Sequence, residues 1–243
     1  MTQQYQSLDP IHIVATVEKL SQRIAARFPD ASLHTVCVQL LSIAQRSQDR
    51  SERIGRPLYW MRGLICAFLI LFLVGIGEVF IQHPMEINDA EINEAKQLIN
   101  LLPLVDSCTD IVIVLGATLL FLVTLETRVK RSRALAMIRE LRSIAHIIDM
   151  HQLSKDPERV VSTLAMTDVS PQIDMTPAEL VRYLDYCSEM LALTGKLAAL
   201  YVQNFNDMVA LAAVNEVESL TTGLSRKIWQ KMMVLYEVIG HSQ

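Results

Sequence analysis

The run GLICAFLILFLVGIG, residues 63–77, carries no charged side chain. A helix of such residues is apolar all round, and only a protein core or a lipid bilayer accommodates that. With Tyr59 and Trp60 before it and Phe80 and Ile81 after it, the apolar stretch extends over residues 58–81. At about 1.5 Å per residue that suffices to cross a hydrocarbon core of about 30 Å. A second run, CTDIVIVLGATLLFLVTL, covers residues 108–125 and is interrupted only by Asp110 near its start. Two spans are therefore expected. The first is preceded by a long polar segment, so it does not read as a cleaved signal peptide.

Charge sets the expected orientation. Residues 1–62 carry eight Lys/Arg against five Asp/Glu, residues 63–126 one against eight, and residues 127–243 thirteen against thirteen. Arg53, Arg56 and Arg62 precede the first run, and Arg128, Lys130, Arg131 and Arg133 follow the second. Basic flanks stay on the cytoplasmic side. Both termini are expected there, with the acidic connector outside. The domains are then a cytoplasmic helical hairpin (1–57), a first span (58–81), an extracytoplasmic acidic loop with a short helix over 89–102 (82–107), a second span (108–126) and a cytoplasmic helical domain (127–243). The fold class expected is all-α: a two-span hairpin with a helical bundle of coiled-coil character. A mean hydropathy of +0.29 fits a few spans joined to a sizeable polar part.

Four polar residues fall at membrane level. In an antiparallel hairpin Glu78 and Asp110 share the outer end, and Arg62 and Glu126 the inner end. An acidic ring that gathers cations in an oligomeric pore is one reading. Interfacial side chains that reach water, with Arg62–Glu126 as an ion pair, is the other. The span centres hold nothing more polar than Thr118, which favours the second.

Outside the spans the period is helical. Asp9-Pro10 reads as an N-cap with proline at the first position, opening a helix to about residue 28, and a second helix is expected over 32–54. Beyond residue 125, Leu135, Ile138, Leu141, Ala145 and Ile148 form an apolar stripe, and one helix is expected from about 107 to 150, about 65 Å long. A connector over 166–175 leads to TPAE, a capping box at Thr176 and Glu179. Leu180, Leu184, Cys187, Leu191, Thr194, Ala198, Tyr201 and Phe205 then alternate steps of four and three, the a and d positions of more than three heptads. A kink or continuation is expected at 204–207, a helix end at Gly223, and a new helix over 226–239 capped by Ser225.

The segment IRELRSIAHIIDMHQLSKDP, residues 138–157, concentrates chemistry-bearing residues. His146, Asp149 and Met150 share a face at i, i+3 and i+4, while His151 is offset by about 100° from Met150. A metal site could draw on His146, Asp149 and His151. Only two candidate ligands share a face, whereas a mononuclear site converges three or more. Asp156-Pro157 also reads as the start of the next helix. The expectation is that these residues organise a helix end and bind no metal. Glu216 and Glu218, two residues apart, point in different directions, so they form no acid/base pair. They are expected on a solvated edge or paired with Arg226 or Lys227.

Cys37, Cys66, Cys108 and Cys187 show no metal-like spacing and read as small apolar residues. There is no phosphate-binding glycine loop, no dinucleotide fingerprint, no H-E-x-x-H and no G-x-S-x-G. No cofactor is expected, and without a strongly basic segment nucleic acid is not an expected partner.

AHIIDMHQLSKDP and TTGLSRKIWQKM resemble segments of two-span inner-membrane proteins of bacteria whose function is uncharacterised. The layout is similar, in architecture alone, to two-span pore-forming effectors of bacterial conflict systems. These resemblances imply a multi-pass protein of the bacterial inner membrane. The leading expectation is a non-enzymatic anchor for a cytoplasmic helical bundle, in contact with lipid, that self-associates as a homo-oligomer or docks a protein partner. A small oligomeric ion channel or membrane-perturbing effector is the alternative, and a metal-dependent enzyme in the cytoplasmic domain the third.

Overall fold

The computed structural model describes residues 7–55, 59–82, 94–157 and 174–241. Among them there are six helices and no strand: α1 (Pro10–Arg27), α2 (Ser32–Gly55), α3 (Tyr59–Gln82), α4 (Glu94–Leu153), α5 (Pro177–Gln203) and α6 (Met208–His241). The chain divides into two units. One comprises Met1–Arg56 and Arg131–Gln243, the other Pro57–Lys130.

The first unit is a helical bundle, and its helix starts follow from local chemistry. Asp9 accepts from the Ile11 N–H at 2.9 Å and Pro10 takes the first position, so a donor that lacks a partner anyway is missing at no cost. Thr176 and Glu179 form the expected capping box: Thr176 Oγ1 accepts from the Glu179 N–H, and Glu179 Oε2 accepts from the Thr176 N–H. Helix α5 ends at Gln203, and Asp207 opens α6 by accepting from the Ala210 N–H at 2.9 Å. The break at 204–207 is thus a turn between two helices.

The apolar stripes bury as their periods require. Ile13, Val17, Leu20 and Ile24 of α1 lie inside at steps of four, three and four, facing Leu33, Leu40 and Ile43 of α2 in one continuous core. Ile138, Leu141, Ala145 and Ile148 of α4 join that core. The heptad positions of α5 from Leu180 to Tyr201 are almost wholly buried. Helix α5 is the hub, packing on α6, α2 and α1. At Gly195 it lies tight against α6, since a Cβ there would lie 3.3 Å from Thr221 Oγ1.

Two expected boundaries are corrected. No helix ends at Gly223: α6 runs through it to His241. Val217, Thr221, Leu224, Ile228, Met232 and Leu235 keep an unbroken buried stripe across the glycine, and burial outweighs its cost of about 1 kcal/mol. Nor does α4 start near residue 107. It begins at Glu94 and passes through Pro103, so most of the expected loop helix belongs to α4 itself. The helix expected from Asp156-Pro157 lies outside the described residues beyond Pro157, as does most of the connector over 166–175.

In the second unit many of the described apolar side chains are exposed, while others, Phe68, Phe72, Leu115 and Leu119 among them, are half-buried. Leu64, Ile70, Leu71, Leu73 and Val74 of α3 are exposed, as are Val112, Ile113, Val114, Leu120, Phe121 and Val123 of α4. Among the described residues one stretch, Val112–Leu153, is long and apolar enough to cross a membrane, and Gly63–Gly75 is a shorter apolar helix.

Candidate functional site

The residues singled out at the end of α4 point in different directions. His146 is exposed. Asp149 Oδ1 accepts from Gln152 Nε2 at 2.6 Å. His151 Nδ1 lies 3.3 Å from Ser32 Oγ, which ties the last turn of α4 to the first residue of α2. Burial, followed by the nearby Lys155 charge, holds the His151 imidazole below its usual range. Among the described residues no three His, Cys, Asp or Glu side chains converge to hold a metal.

Two residues that the sequence did not flag complete this corner. Gln152 is buried, and its backbone oxygen accepts from Lys231 Nζ of α6 at 2.9 Å. The last carbonyls of a helix have no partner within it, and Lys231 supplies one. Burial lowers the Lys231 pKa, while Asp156 and Asp149 oppose that shift. Cys187 is pushed up to about 12 by burial, so its thiol is inert at neutral pH. Gln152 Oε1 is buried without a hydrogen-bond partner among the described residues. The arrangement positions a helix end and presents no nucleophile beside a base. Its sequence signal was Lys231 itself, set between Ile228, Met232 and Leu235 on the edge of the buried face.

Ion pairs dress the bundle's surface. Arg23 meets Glu189 with two hydrogen bonds at 2.8 and 3.0 Å, and its guanidinium lies 5.1 Å from the Tyr186 ring centroid. Glu216 pairs with Arg142 of α4 at 3.3 Å, a different partner from the expected Arg226 or Lys227. Both also line a groove of about 310 Å³ floored by Leu135, Ile138, Ala213 and Val217. That groove holds no acid/base pair.

Of the four polar residues expected at membrane level, Glu126 forms an ion pair with Lys130, one turn along α4, at 2.8 Å. The side chains of Arg62, Glu78 and Asp110 lie outside the described residues, and so does that of Cys108. Thr118 donates to the Val114 carbonyl and Thr124 to that of Phe121, both at 2.8 Å. These hydroxyls are satisfied by carbonyls of their own helix, so they need no partner outside α4. No family model matches the chain, and no curated protein and no solved structure matches it either.

Proposed function

We propose that the chain is a non-enzymatic integral membrane protein of the bacterial inner membrane. Its two apolar helices anchor a cytoplasmic helical bundle that self-associates or docks a protein partner. The observation that carries this reading is the outward display of α3 and α4. Eleven large apolar side chains over residues 64–74 and 112–123 are more than half exposed, while the bundle encloses its own stripes. Water does not support so continuous an apolar surface, and lipid does. The back-bonded threonines of α4 support the same reading. The charge asymmetry supports termini on the cytoplasmic side and lipid contact along both runs.

Cell fractionation with carbonate washing tests the anchor: the chain should stay in the membrane pellet. Single-cysteine labelling in intact cells tests the topology, in a background with the native cysteines replaced. Asn93→Cys should react with an impermeant maleimide and Ser242→Cys should not. Release by carbonate removes the anchor, and the reverse labelling pattern removes the cytoplasmic bundle.

A further inference from the structure

Both connections from the bundle to the apolar runs leave from one end of it. Helices α2 and α4 lie antiparallel there: Ser32 Oγ is 3.3 Å from His151 Nδ1, and further along Arg46 Nη2 is 2.8 Å from Glu140 Oε1. Gly55, the last residue of α2, therefore falls at the end of the bundle that holds Arg131. The pair of Arg131 with Asp207 brings the start of α6 to the same end. Gln203, the last residue of α5, bonds Leu8 there: the Leu8 N–H donates to Gln203 Oε1 at 2.9 Å, and Gln203 Nε2 donates to the Leu8 carbonyl at 3.4 Å. The start of α1 thus joins this end as well. Gly55 comes four residues before Tyr59, and Arg131 six residues after Leu125. Six residues reach at most about 20 Å even when fully extended. Two short tethers therefore keep this end of the bundle close to both apolar runs.

That end is apolar where it is exposed. Met208, at 85%, is the most exposed large apolar side chain among the described residues. Val209 beside it is 48% exposed, and Ile11 in the first turn of α1 is 61% exposed. In a helix the Cα–Cβ bonds tilt toward the N-terminus. Both α1 and α6 begin at this end, so these side chains lean toward it. Gln203, Asn204, Phe205 and Asn206, which lead from α5 to α6, carry no charge, and the Asp207 carboxylate is spent on Arg131. Arg128 and Arg133, three residues before and two after Arg131, are exposed.

We propose that this end of the bundle docks on the lipid surface of the membrane that holds the apolar helices. Met208, Val209 and Ile11 enter the headgroup layer, which is about 5–8 Å deep on each side of the hydrocarbon. Arg128 and Arg133 reach lipid phosphates, the anions that juxtamembrane basic residues meet. The apolar contact is small, and the two tethers raise its effective concentration. Reach selects the lipid as occupant, since exposure alone does not. Met150 and Leu153 are also exposed, at 71% and 61%, but Met150 lies about 28 Å along α4 from Arg131, beyond the headgroup layer. This inference rests on the membrane anchor proposed above.

The test uses the full-length chain with its native cysteines replaced, held in nanodiscs of phosphatidylethanolamine and phosphatidylglycerol. A fluorophore is placed at Met208→Cys, Ile11→Cys or Met150→Cys. Lipid carrying a nitroxide at the top of its acyl chain should remove at least half of the emission at Met208 and Ile11 and leave Met150 unchanged. Iodide in the water should do the reverse. Met208→Asp with Val209→Asp should abolish lipid quenching of the Ile11 label, and quenching that persists there would show that the apolar side chains hold nothing. A Met208 label open to iodide and untouched by the lipid nitroxide means that the bundle stands clear of the membrane. Protection from both quenchers means that a protein covers this end, and lipid quenching at Met150 as well means that the bundle lies flat. Each of these outcomes overturns the proposal. Carbonate washing of the source membranes reports separately on the anchor: a chain that stays in the pellet yet leaves Met208 unquenched keeps the anchor and loses the docking, whereas a released chain loses both.

Discussion

Arg131 of α4 holds both carboxylate oxygens of Asp207: Nε lies 3.1 Å from Oδ1 and 2.9 Å from Oδ2, and Nη2 lies 2.7 Å from Oδ2. Oδ1 also accepts from the Ala210 N–H at 2.9 Å. One buried carboxylate therefore caps α6 and ties it to α4. Asp207→Ala should cost about 0.5–2 kcal/mol through the lost cap alone. The Arg131 hydrogen bonds, then the cap, hold the Asp207 pKa below the usual carboxylate range, against burial. Its contribution is complete above the unfolded carboxyl's pKa of about 4 and disappears as the pH falls through the lower folded value. Denaturant melts of the purified protein below pH 4 should show a shallower loss in Asp207→Asn than in wild type. By contrast, Glu216→Gln should change stability by less than about 1 kcal/mol, since its pair with Arg142 is solvent-exposed.

Leu184→Asp or Leu191→Asp should destabilise the bundle by several kcal/mol, because each places an unpaired charge where no water reaches. Circular dichroism melting checks this. An unchanged midpoint would mean that α5 is not the hub of the core.

Thr176→Ala removes one half of the capping box and should cost about 1 kcal/mol. Thr176→Ser keeps the acceptor and should recover most of that loss. Equal midpoints for the alanine and serine variants would show that the methyl group, not the hydroxyl, was responsible.

His151 predicts a separate acid response. Burial and Lys155 lower its folded pKa below the unfolded value of about 6.5, so the neutral ring is the stabilising form. That contribution is full above about pH 6.5 and disappears as the pH falls through the folded pKa. His151→Gln should flatten the stability change between pH 7 and 5. Since His151 faces Ser32 and His146 is exposed, chelator should leave the wild-type midpoint unchanged. A chelator-induced drop, together with one transition metal per chain that His146→Ala removes, would reverse that assignment.

The sequence made the bundle legible wherever a local rule and a long-range need agreed. Asp9-Pro10 and Thr176-Pro177 carry their caps in adjacent residues, and the α5 stripe repeats often enough to fix its buried face. It misled where they disagreed. Gly223 has the local look of a helix end, but the core needs Leu224 and Ile228 on the same stripe as Val217, and packing prevails. The helix expected from about residue 107 starts at Glu94, and the backbone stays helical through Pro103. Cross-chain partners were the hardest to read. Arg131 looked like one of several basic flank residues, and nothing near it in the sequence points to Asp207. Lys231 and Gln152 are 79 residues apart and meet only because α4 and α6 pack.

Tyr201 and Ser47 carry a consequence for how the bundle chooses one arrangement. Their hydroxyls lie 2.7 Å apart in the core, and Ser47 Oγ also donates to the Ile43 carbonyl at 2.7 Å, so the tyrosine donates to the serine. A leucine-rich heptad is nearly periodic, and sliding α5 by seven residues along α2 would still match apolar with apolar. Such a slip would strand the tyrosine hydroxyl among hydrocarbon without an acceptor, which makes the shifted state costly. One polar contact thus acts as an index mark on an otherwise repetitive seam. Tyr201→Phe would keep the volume and erase the mark, leaving a chain that still collapses but has lost a means of telling one alignment from the next.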